Sequence, residues 1–535
     1  MKNKFLGILI SLKKIHAHYD EETGLLKTGL LNTLSRLALP SGKQLLEYHD
    51  ILLFFCTYPG HAHLLKLSEK ELKRIAAHIK KSTATKKALN ENQGLPYTET
   101  NTRFSPDLLS WLIRQKDINA IFDSMPEPSL PINEVMLVTL PSLLKEETTA
   151  DLGFEALMEV LHVKPRDYIS FLLGQLEQLD PLVRDIIMEH MDVYVRLVPK
   201  GLQYSRSFNR IPVQKVFFQQ EMLKQFDHLQ LINEPIPEAM VMSKTDHQQL
   251  CKVIKYAMPL TQREIDTASY LDDDTVRLFQ LERGVMVAIH AMIPQRQLPL
   301  ESSVGFTLFK NGIPVSYGGT WIFGPRARFG LNIFDAFRGG ESGYTLCQLL
   351  RVFRHVFNIS YFEVESYMFG YANPEGIKTG AFWFYYKYGF RPVDKELLRF
   401  AESEKHKIKT RKNYQSSEKT LIRFTQSNIA LNLGDPVTTD VPEITGAVLS
   451  QFKKAWPHNY ARARQEAIDS FCKKMEIDNT VLNGCELKVL EEVSLWAMAM
   501  KVDNTRQLEL LKQMIFTKPR DLYAYQDLLL AFFEK

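Results

Sequence analysis

The stretch D-A-F-R-G-G-E-S-G-Y-T-L-C-Q-L-L-R-V-F, residues 335 to 353, decides which fold the sequence predicts. It passes from an aromatic segment through three glycines into a run with apolar residues at helical spacing, namely Leu346, Leu349, Leu350, Phe353 and Phe357. The pattern predicts a strand, a glycine-rich turn and a helix. Such a turn is either an anion-binding loop or only a connection between the two elements, and the local residues leave both interpretations open.

Some residues of the turn favour the binding of an anion, and others oppose it. Glycines allow the backbone to approach a ligand closely, and N–H groups at a helix N-terminus favour negative charge. Arg338 would add a charged fork and Ser342 a hydroxyl. The turn lacks the lysine of a P-loop and the G-x-G-x-x-G spacing of a dinucleotide site. Glu341 would repel an anion unless its carboxylate points out of the loop and caps the first helical turn.

A second segment follows about thirty residues later. The strand pattern Y-F-E-V-E-S-Y-M (361 to 368) leads into F-G-Y-A-N-P-E-G-I-K-T-G-A-F-W-F-Y-Y-K-Y-G-F-R-P-V (369 to 393). Asn373-Pro374 would begin a helix that ends at Gly389, and Phe390 would open an extended segment.

Together the two segments resemble the acyl-CoA N-acyltransferase (GNAT) superfamily. In its pyrophosphate loop, Arg/Gln-x-x-Gly-x-Gly/Ala, Arg338 and Gly343 match the first and last positions, and Glu341 stands where the family usually has glycine. The later helix of the family often reads Ala-x-x-Leu-Tyr-Glu-Lys-Leu-Gly-Phe, which this chain matches at Ala381, Tyr385, Lys387, Gly389 and Phe390. The resemblance covers residues 240 to 400 approximately.

The resemblance implies a mixed α/β domain with acyl-CoA held between two splayed strands, near 329 to 337 and 359 to 368. Backbone groups of Ile333, Phe334 and Asp335 would hydrogen-bond the pantetheine. The pyrophosphate would lie on the loop that comprises Arg338, Gly339, Gly340, Glu341, Ser342 and Gly343. Tyr385 occupies the position that in many members protonates the departing thiolate, a role that suits a phenol protonated at neutral pH.

An acceptor amine must also lose a proton. Glu363 and Glu365 flank Val364 and therefore share one strand face, which makes either a candidate general base. The alternative is that both simply lie on an exposed face of the strand. Asn332, Asn373 and Asp335 are candidates for orienting the substrate.

The sequence pattern over the whole chain predicts three regions. Residues 1 to 235 have a helical pattern with a possible break near 82 to 105, residues 236 to 430 form the GNAT-like domain, and residues 431 to 535 are again helical. In the middle region, Asn311-Gly312 lies between two β-rich runs and predicts a hairpin. The fold class expected is thus α/β, flanked by all-α regions.

The composition limits which binding partners and which cellular compartment are expected. The chain has 66 basic and 62 acidic residues among 535, so nucleic acid is not favoured as a partner. Five scattered cysteines fit a reducing cytoplasm, and no apolar run approaches the ~20 residues of a membrane span. The His-x-His pairs at 16 to 18 and 61 to 63 lie in helical patterns, where their side chains point apart, so no metal site is expected.

The sequence therefore favours a cytoplasmic acyltransferase that moves an acetyl or longer acyl group from acyl-CoA to an amine. Two other functions stay open. One is a GNAT-like module that has lost its chemistry and senses acyl-CoA or binds a protein. The other is a scaffold whose helical regions bind a protein partner.

Overall fold

A computed structural model describes residues 2–89, 91–148, 152–435, 437–457 and 459–534. The fold mixes helix and sheet, with 55% of residues helical and 13% in strands. None of the helices in these ranges has the length and apolarity that a membrane crossing needs.

The chain begins with five helices. Several start at a polar N-cap, such as Asp20, whose carboxylate accepts the Thr23 amide at 2.8 Å. The first helix covers the lysine-containing segment K-N-K-F-L-G-I-L-I-S-L-K-K-I. The five helices are α1 (Lys2–Ile15), α2 (Glu21–Ser35), α3 (Lys43–Thr57), α4 (Ala62–Lys81) and α5 (Thr83–Ala88).

Residues 100 to 199 differ from the expected all-helical pattern, because they contain a small antiparallel sheet. Its strands are β1 (Thr100–Thr102), β2 (Ile118–Ser124) and β3 (Tyr194–Pro199), in the order β1-β3-β2. The helical pattern expected for residues 1 to 235 does not hold at this point, since Y-V-R-L-V-P alternates between half-buried and buried positions with the period of a strand. The helices of this region are α6 (Pro106–Leu112), α7 (Ile132–Thr139), α8 (Phe154–Val160), α9 (Tyr168–Leu176) and α10 (Pro181–His190).

An eight-stranded sheet forms the middle of the molecule, in the order β10-β11-β9-β8-β7-β6-β5-β4. Asn311 and Gly312, at φ of 49° and 80°, make the predicted tight turn between β6 and β7. The strand β11 extends the sheet two residues past the expected boundary at 430. The strands are β4 (Arg277–Gln280), β5 (Val285–Ala291), β6 (Ser302–Lys310), β7 (Ile313–Phe323), β8 (Arg326–Ile333), β9 (Tyr361–Val364), β10 (Arg391–Pro392) and β11 (Ile429–Asn432).

Among the described strands, only β8 and β9 pair in parallel, and they do so over three residues. The pairing joins Arg326–Arg328 to Tyr361–Glu363. The strand β8 then continues for five residues, 329 to 333, while β9 ends at Val364 and the chain turns away. The two strands thus share only their first residues, and a gap opens towards their carboxyl ends.

Short helices surround this sheet. The helix predicted at 343 to 357 is confirmed as α14 (Ser342–Phe357). The helix expected to end at Gly389 is divided at Gly380, which has φ of 65°. The helices are α11 (His228–Asn233), α12 (Lys244–Ala257), α13 (Asp266–Ser269), α14, α15 (Pro374–Thr379), α16 (Ala381–Lys387), α17 (Lys395–Thr410) and α18 (Glu418–Phe424).

The C-terminal region is helical, as expected. Its helices are α19 (Val441–Ala455), α20 (Tyr460–Met475), α21 (Gly484–Ala499), α22 (Thr505–Thr517) and α23 (Leu522–Phe533).

The apolar side chains form four clusters in the described ranges. The largest joins α1 to α4 with one face of the sheet and with α14, so that Leu52, Phe306 and Leu350 belong to one core. A second core covers residues 104 to 197, and a third covers the C-terminal helices. The last lies between the other sheet face and α12 and α13.

Candidate functional site

A cleft of about 460 Å³ opens where β8 and β9 separate. Side chains from the sheet, from the loop before α14 and from α15 and α16 line it. They are Arg263, Leu331, Asn332, Ile333, Arg338, Gly339, Ser342, Met368, Asn373, Glu375, Gly376, Thr379, Ala381, Phe384 and Tyr385. The cleft therefore brings together the two sequence segments that carry the resemblance.

The first turn of α14 borders this cleft, because Ser342, the first residue of the helix, lines it. The N-cap residue, Glu341, makes no side-chain hydrogen bond to the helix. No side chain in the described ranges accepts from the amides of Ser342, Gly343 or Tyr344. Of the three residues, Ser342 lines the cleft, so the partial positive charge of the helix N-terminus reaches the cleft at Ser342.

Glu341 does not point into the loop. Its side chain is 1% exposed, and its Oε1 accepts from Arg283 at 2.6 Å and from the Leu223 amide at 3.0 Å. The other oxygen, Oε2, accepts from the fully buried Lys310 at 2.8 Å. The carboxylate is thus neutralised on the side of the loop away from the cleft, and the expected capping of the first turn does not occur.

The charged groups around Glu341 stabilise one another in their ionised forms. Burial alone would raise the pKa of the Glu341 carboxyl, but Lys310, Arg283 and the Leu223 amide together hold it below 4.5. Burial lowers the pKa of Lys310 to about 8, although Glu341 opposes this shift. Lys310 also donates to the Arg283 carbonyl at 2.6 Å. The network fixes the loop to the β6–β7 hairpin.

Each glycine of the loop has its own role. Gly339 has φ of 87° and open space where a Cβ would lie. A Cβ on Gly340 would come within 2.7 Å of the Tyr58 hydroxyl, and one on Gly343 within 1.7 Å of the Tyr388 hydroxyl. Gly339 therefore faces the cleft, while Gly340 and Gly343 allow α3 and α16 to pack against the loop.

Arg338 lies at the rim of the cleft and is 44% exposed. Its guanidinium pairs with Asp335 at 2.9 Å and with Glu375, the second residue of α15. An anion that entered the loop would have to compete with Glu375 for this fork.

Tyr385 forms part of the inner wall of the cleft. It is 3% exposed and packs against Phe329 and Phe390. Burial raises the pKa of the phenol above 10, and a backbone hydrogen bond from Leu331 acts in the opposite direction. No side chain or carbonyl in the described ranges accepts the Tyr385 proton. The phenol is therefore protonated at neutral pH, with its proton available to the cleft.

The backbone positions expected to bind pantetheine are partly used by the fold. The Phe334 amide donates to Val315 at 3.0 Å, and its carbonyl accepts from Phe337 at 2.9 Å. The Asp335 carbonyl accepts from the Arg338 amide, whereas Ile333 lines the cleft.

The two asparagines also line the cleft but differ in freedom. Asn373 is engaged, because its Oδ1 caps α15 and its Nδ2 donates to Tyr367 at 2.9 Å. Asn332 is half-buried, on the strand that continues past the pairing.

Glu363 and Glu365 lie outside the lining of the cleft. Glu363 accepts from Asn428 at 2.7 Å and pairs with Arg326 at 3.3 Å. Glu365 pairs with Arg328 at 3.2 Å and is 42% exposed. Each carboxylate is held by an arginine partner outside the cleft, so neither is placed to take a proton from a ligand bound there.

Sequence reasoning missed several residues of the cleft. Arg263, Met368 and Phe384 reach it from three separate elements, and Glu375 shields Arg338. Only Glu375 carried a local signal, since an acidic residue in the first turn after Asn373-Pro374 is typical of a helix start. Tyr58 contacts the loop from about 280 positions away along the chain, a distance that no local pattern spans.

Comparison with protein-family models, with curated proteins and with solved structures finds no match to this chain. Across the described ranges, no group of three or more His, Cys, Asp or Glu side chains is arranged to hold a metal ion.

Proposed function

We propose that this protein is an acyltransferase that uses acyl-CoA and transfers the acyl group to an amine. The cleft between β8 and β9 carries the proposal, because it joins a buried, protonated Tyr385 to an uncapped helix N-terminus. The GNAT-like arrangement that the sequence resembles remains part of this proposal. Acyl-CoA would supply a thioester, whose carbonyl carbon is open to attack by an amine.

The residues fit such a ligand in three ways. The α14 amides and Arg338 would hold a pyrophosphate, once Arg338 exchanges Glu375 for the ligand. Leu331 and Ile333 would flank the pantetheine arm in the gap beside β8. In direct transfer the amine nitrogen bonds to the carbonyl carbon and the C–S bond breaks. Tyr385 would give its proton to the sulfur, and the proton lost by the amine would pass through water and restore the Tyr385 phenol.

A second function, acyl-CoA binding without catalysis, is favoured by the positions and ion pairs of the candidate general bases. Glu363 and Glu365 lie outside the cleft and Glu375, which lines it, is paired with Arg338, so the described lining offers no carboxylate base without an arginine partner. An acyl-CoA-binding module without chemistry would show the same cleft. A scaffold role for the helical regions requires no cleft at all.

A thermal shift with acetyl-CoA and longer acyl-CoAs tests ligand binding. A ligand at 100 times its Kd should add about 2.7 kcal/mol of stability. If no acyl-CoA shifts the melting temperature, both the enzyme and the acyl-CoA-binding module are rejected.

Thiol release with a panel of amines then separates the enzyme from the module. The variant Tyr385→Phe should lower kcat by about 10² to 10⁴, the typical contribution of a general acid, with little change in acyl-CoA binding. Tyr386→Phe is the matched control, since Tyr386 is buried on the same helix but does not line the cleft. Equal turnover by Tyr385→Phe and wild type would remove Tyr385 from the acid role.

A further inference from the structure

A second cavity, of about 690 Å³, lies beside the cleft and shares Thr379 of α15 with it. Its walls come from α15, α16, α17 and the segment 414 to 421. The apolar part of the lining includes Ile377, Trp383 and Ile408. Small-molecule sites have volumes of about 300 to 1,000 Å³, and the volume of this cavity lies in that range, with a lining that is about half apolar and half polar.

One wall of the cavity is fixed by hydrogen bonds. Trp383 Nε1 donates to Ser416 at 3.1 Å, and Ser416 donates to the buried Glu404 at 3.3 Å. Tyr414 donates to the same carboxylate at 2.9 Å. Lys407 neutralises Glu404 at 2.6 Å. The two aromatic rings, Trp383 and Tyr414, are therefore held in place on the cavity lining.

The cations of the cavity, in contrast, form no salt bridge in the described part of the chain, although the Lys378 charge still interacts with the Glu375 carboxylate. Lys378 and Lys405 line it, and neither has a carboxylate within ion-pair distance in the described part of the chain. The Lys405 ammonium lies 5.8 Å from the centre of the Trp383 ring. Burial, together with repulsion from Lys409, Arg391 and Lys387, lowers the pKa of Lys405. An anion bound here would relieve this repulsion. Glu418 is the one carboxylate of the lining, and it lies exposed at the start of α18.

We propose that this cavity binds a nucleotide, with the base against Trp383 and Tyr414 and the phosphate on Lys378 and Lys405. Base stacking on an aromatic ring is favourable and tolerates any base. Lysine binds phosphate as a point charge. The nucleotide is either a free mononucleotide or the nucleotide end of a CoA molecule that reaches past α15, and the two share this chemistry. The cavity itself does not depend on the proposed acyltransferase activity.

Calorimetric titration with adenosine 5′-monophosphate tests the proposal, with adenosine and inorganic phosphate as the separate halves. The monophosphate should bind saturably and at least about tenfold more tightly than either half. The proposal is overturned if the monophosphate does not bind, or if phosphate alone binds equally well. A single-stranded oligoribonucleotide that binds about a hundredfold more tightly would also overturn it, in favour of a nucleic-acid surface.

Three charge variants localise the binding. Lys378→Gln and Lys405→Gln should each weaken the monophosphate by about tenfold, as loss of a charged hydrogen-bond donor does. Lys395→Gln removes the same charge from the first turn of α17, away from the cavity, and should leave the affinity unchanged. These lysines carry no salt bridge, so the variants should fold normally by circular dichroism. Unchanged affinity in both cavity variants would overturn the proposal.

Two further experiments identify the source of the nucleotide and the position of the base. Trp383→Phe should abolish the change in tryptophan fluorescence on binding. Saturating acetyl-CoA leaves a free-nucleotide site unaffected, whereas it displaces the monophosphate if the nucleotide end of CoA fills the cavity. Displacement combined with unchanged monophosphate affinity in both Lys378→Gln and Lys405→Gln would put the monophosphate in the β8–β9 cleft and overturn the proposal.

Discussion

At the scale of single residues, Glu341 decides whether the glycine loop is compatible with an anion. Its position in the sequence suggests a repulsive carboxylate, and its orientation could not be predicted from nearby residues. The partners that turn it away, Lys310, Arg283 and Leu223, are 31, 58 and 118 positions distant. Local sequence patterns depend on residues that are a few positions apart. They could therefore not predict hydrogen bonds between residues this far apart in the chain.

Glu341→Gln should destabilise the protein by about 3 kcal/mol, because it leaves the buried Lys310 without its partner. Urea unfolding at pH 7 measures the change. The double variant with Lys310→Met should cost less than the sum of the single variants. Additive costs would show that the two side chains do not stabilise each other.

The same variant should alter the acid dependence of stability. The folded pKa of Glu341 is below its usual 4.5, so its stabilisation is complete above that pH and is lost as pH falls through the folded pKa. The free energy of unfolding should therefore fall less steeply below pH 4.5 in Glu341→Gln than in wild type. Parallel curves for the two proteins would contradict an ionised Glu341.

At the scale of elements, the sequence predicted those features that local residues determine. The helix Ser342–Phe357 and the turn at Asn311-Gly312 follow from apolar spacing and from a turn dipeptide. The strand Tyr194–Pro199 was missed because its short alternation directly follows a helix with many apolar residues. The separation of β8 from β9 is implied by the family resemblance alone, since strand pairing depends on residues far apart in the chain.

The contact between α14 and α16 yields a prediction about Gly343. Gly343→Ala would place a Cβ on the Tyr388 side chain, and such overpacking should cost about 1–3 kcal/mol. Gly446→Ala is the control, because Gly446 lies in α19 with no atom within 4 Å of a new Cβ. It should stabilise the protein by about 0.5–1 kcal/mol. Thermal denaturation of both variants checks the opposite signs.

At the scale of the whole molecule, the N-terminal helices are part of the core of the sheet. The expected boundary at 235 separates segments of sequence, yet Leu52 of α3 and Phe306 of β6 share one apolar cluster. The Asn311 side chain also donates to the Thr57 carbonyl at 3.0 Å. Composition could suggest several domains, but it could not indicate which of them share a core.

Leu52→Ala tests this shared core. The substitution should cost about 2–5 kcal/mol and should lower hydrogen-exchange protection in α3 and in β7 by the same free energy. Leu511→Ala, in the separate C-terminal core, is the matched control and should affect α22 more than α3. Loss of protection confined to α3 in Leu52→Ala would show that the N-terminal helices unfold independently.

The fixed position of the glycine loop has a consequence for the kinetics of ligand capture. Because Tyr58, Tyr388 and the Glu341 network already hold the loop, little conformational entropy remains to be lost when a ligand arrives. The rate of capture would then be set by diffusion and by the exchange of Glu375 for the ligand at Arg338. Differences in affinity among ligands would appear mainly as differences in residence time.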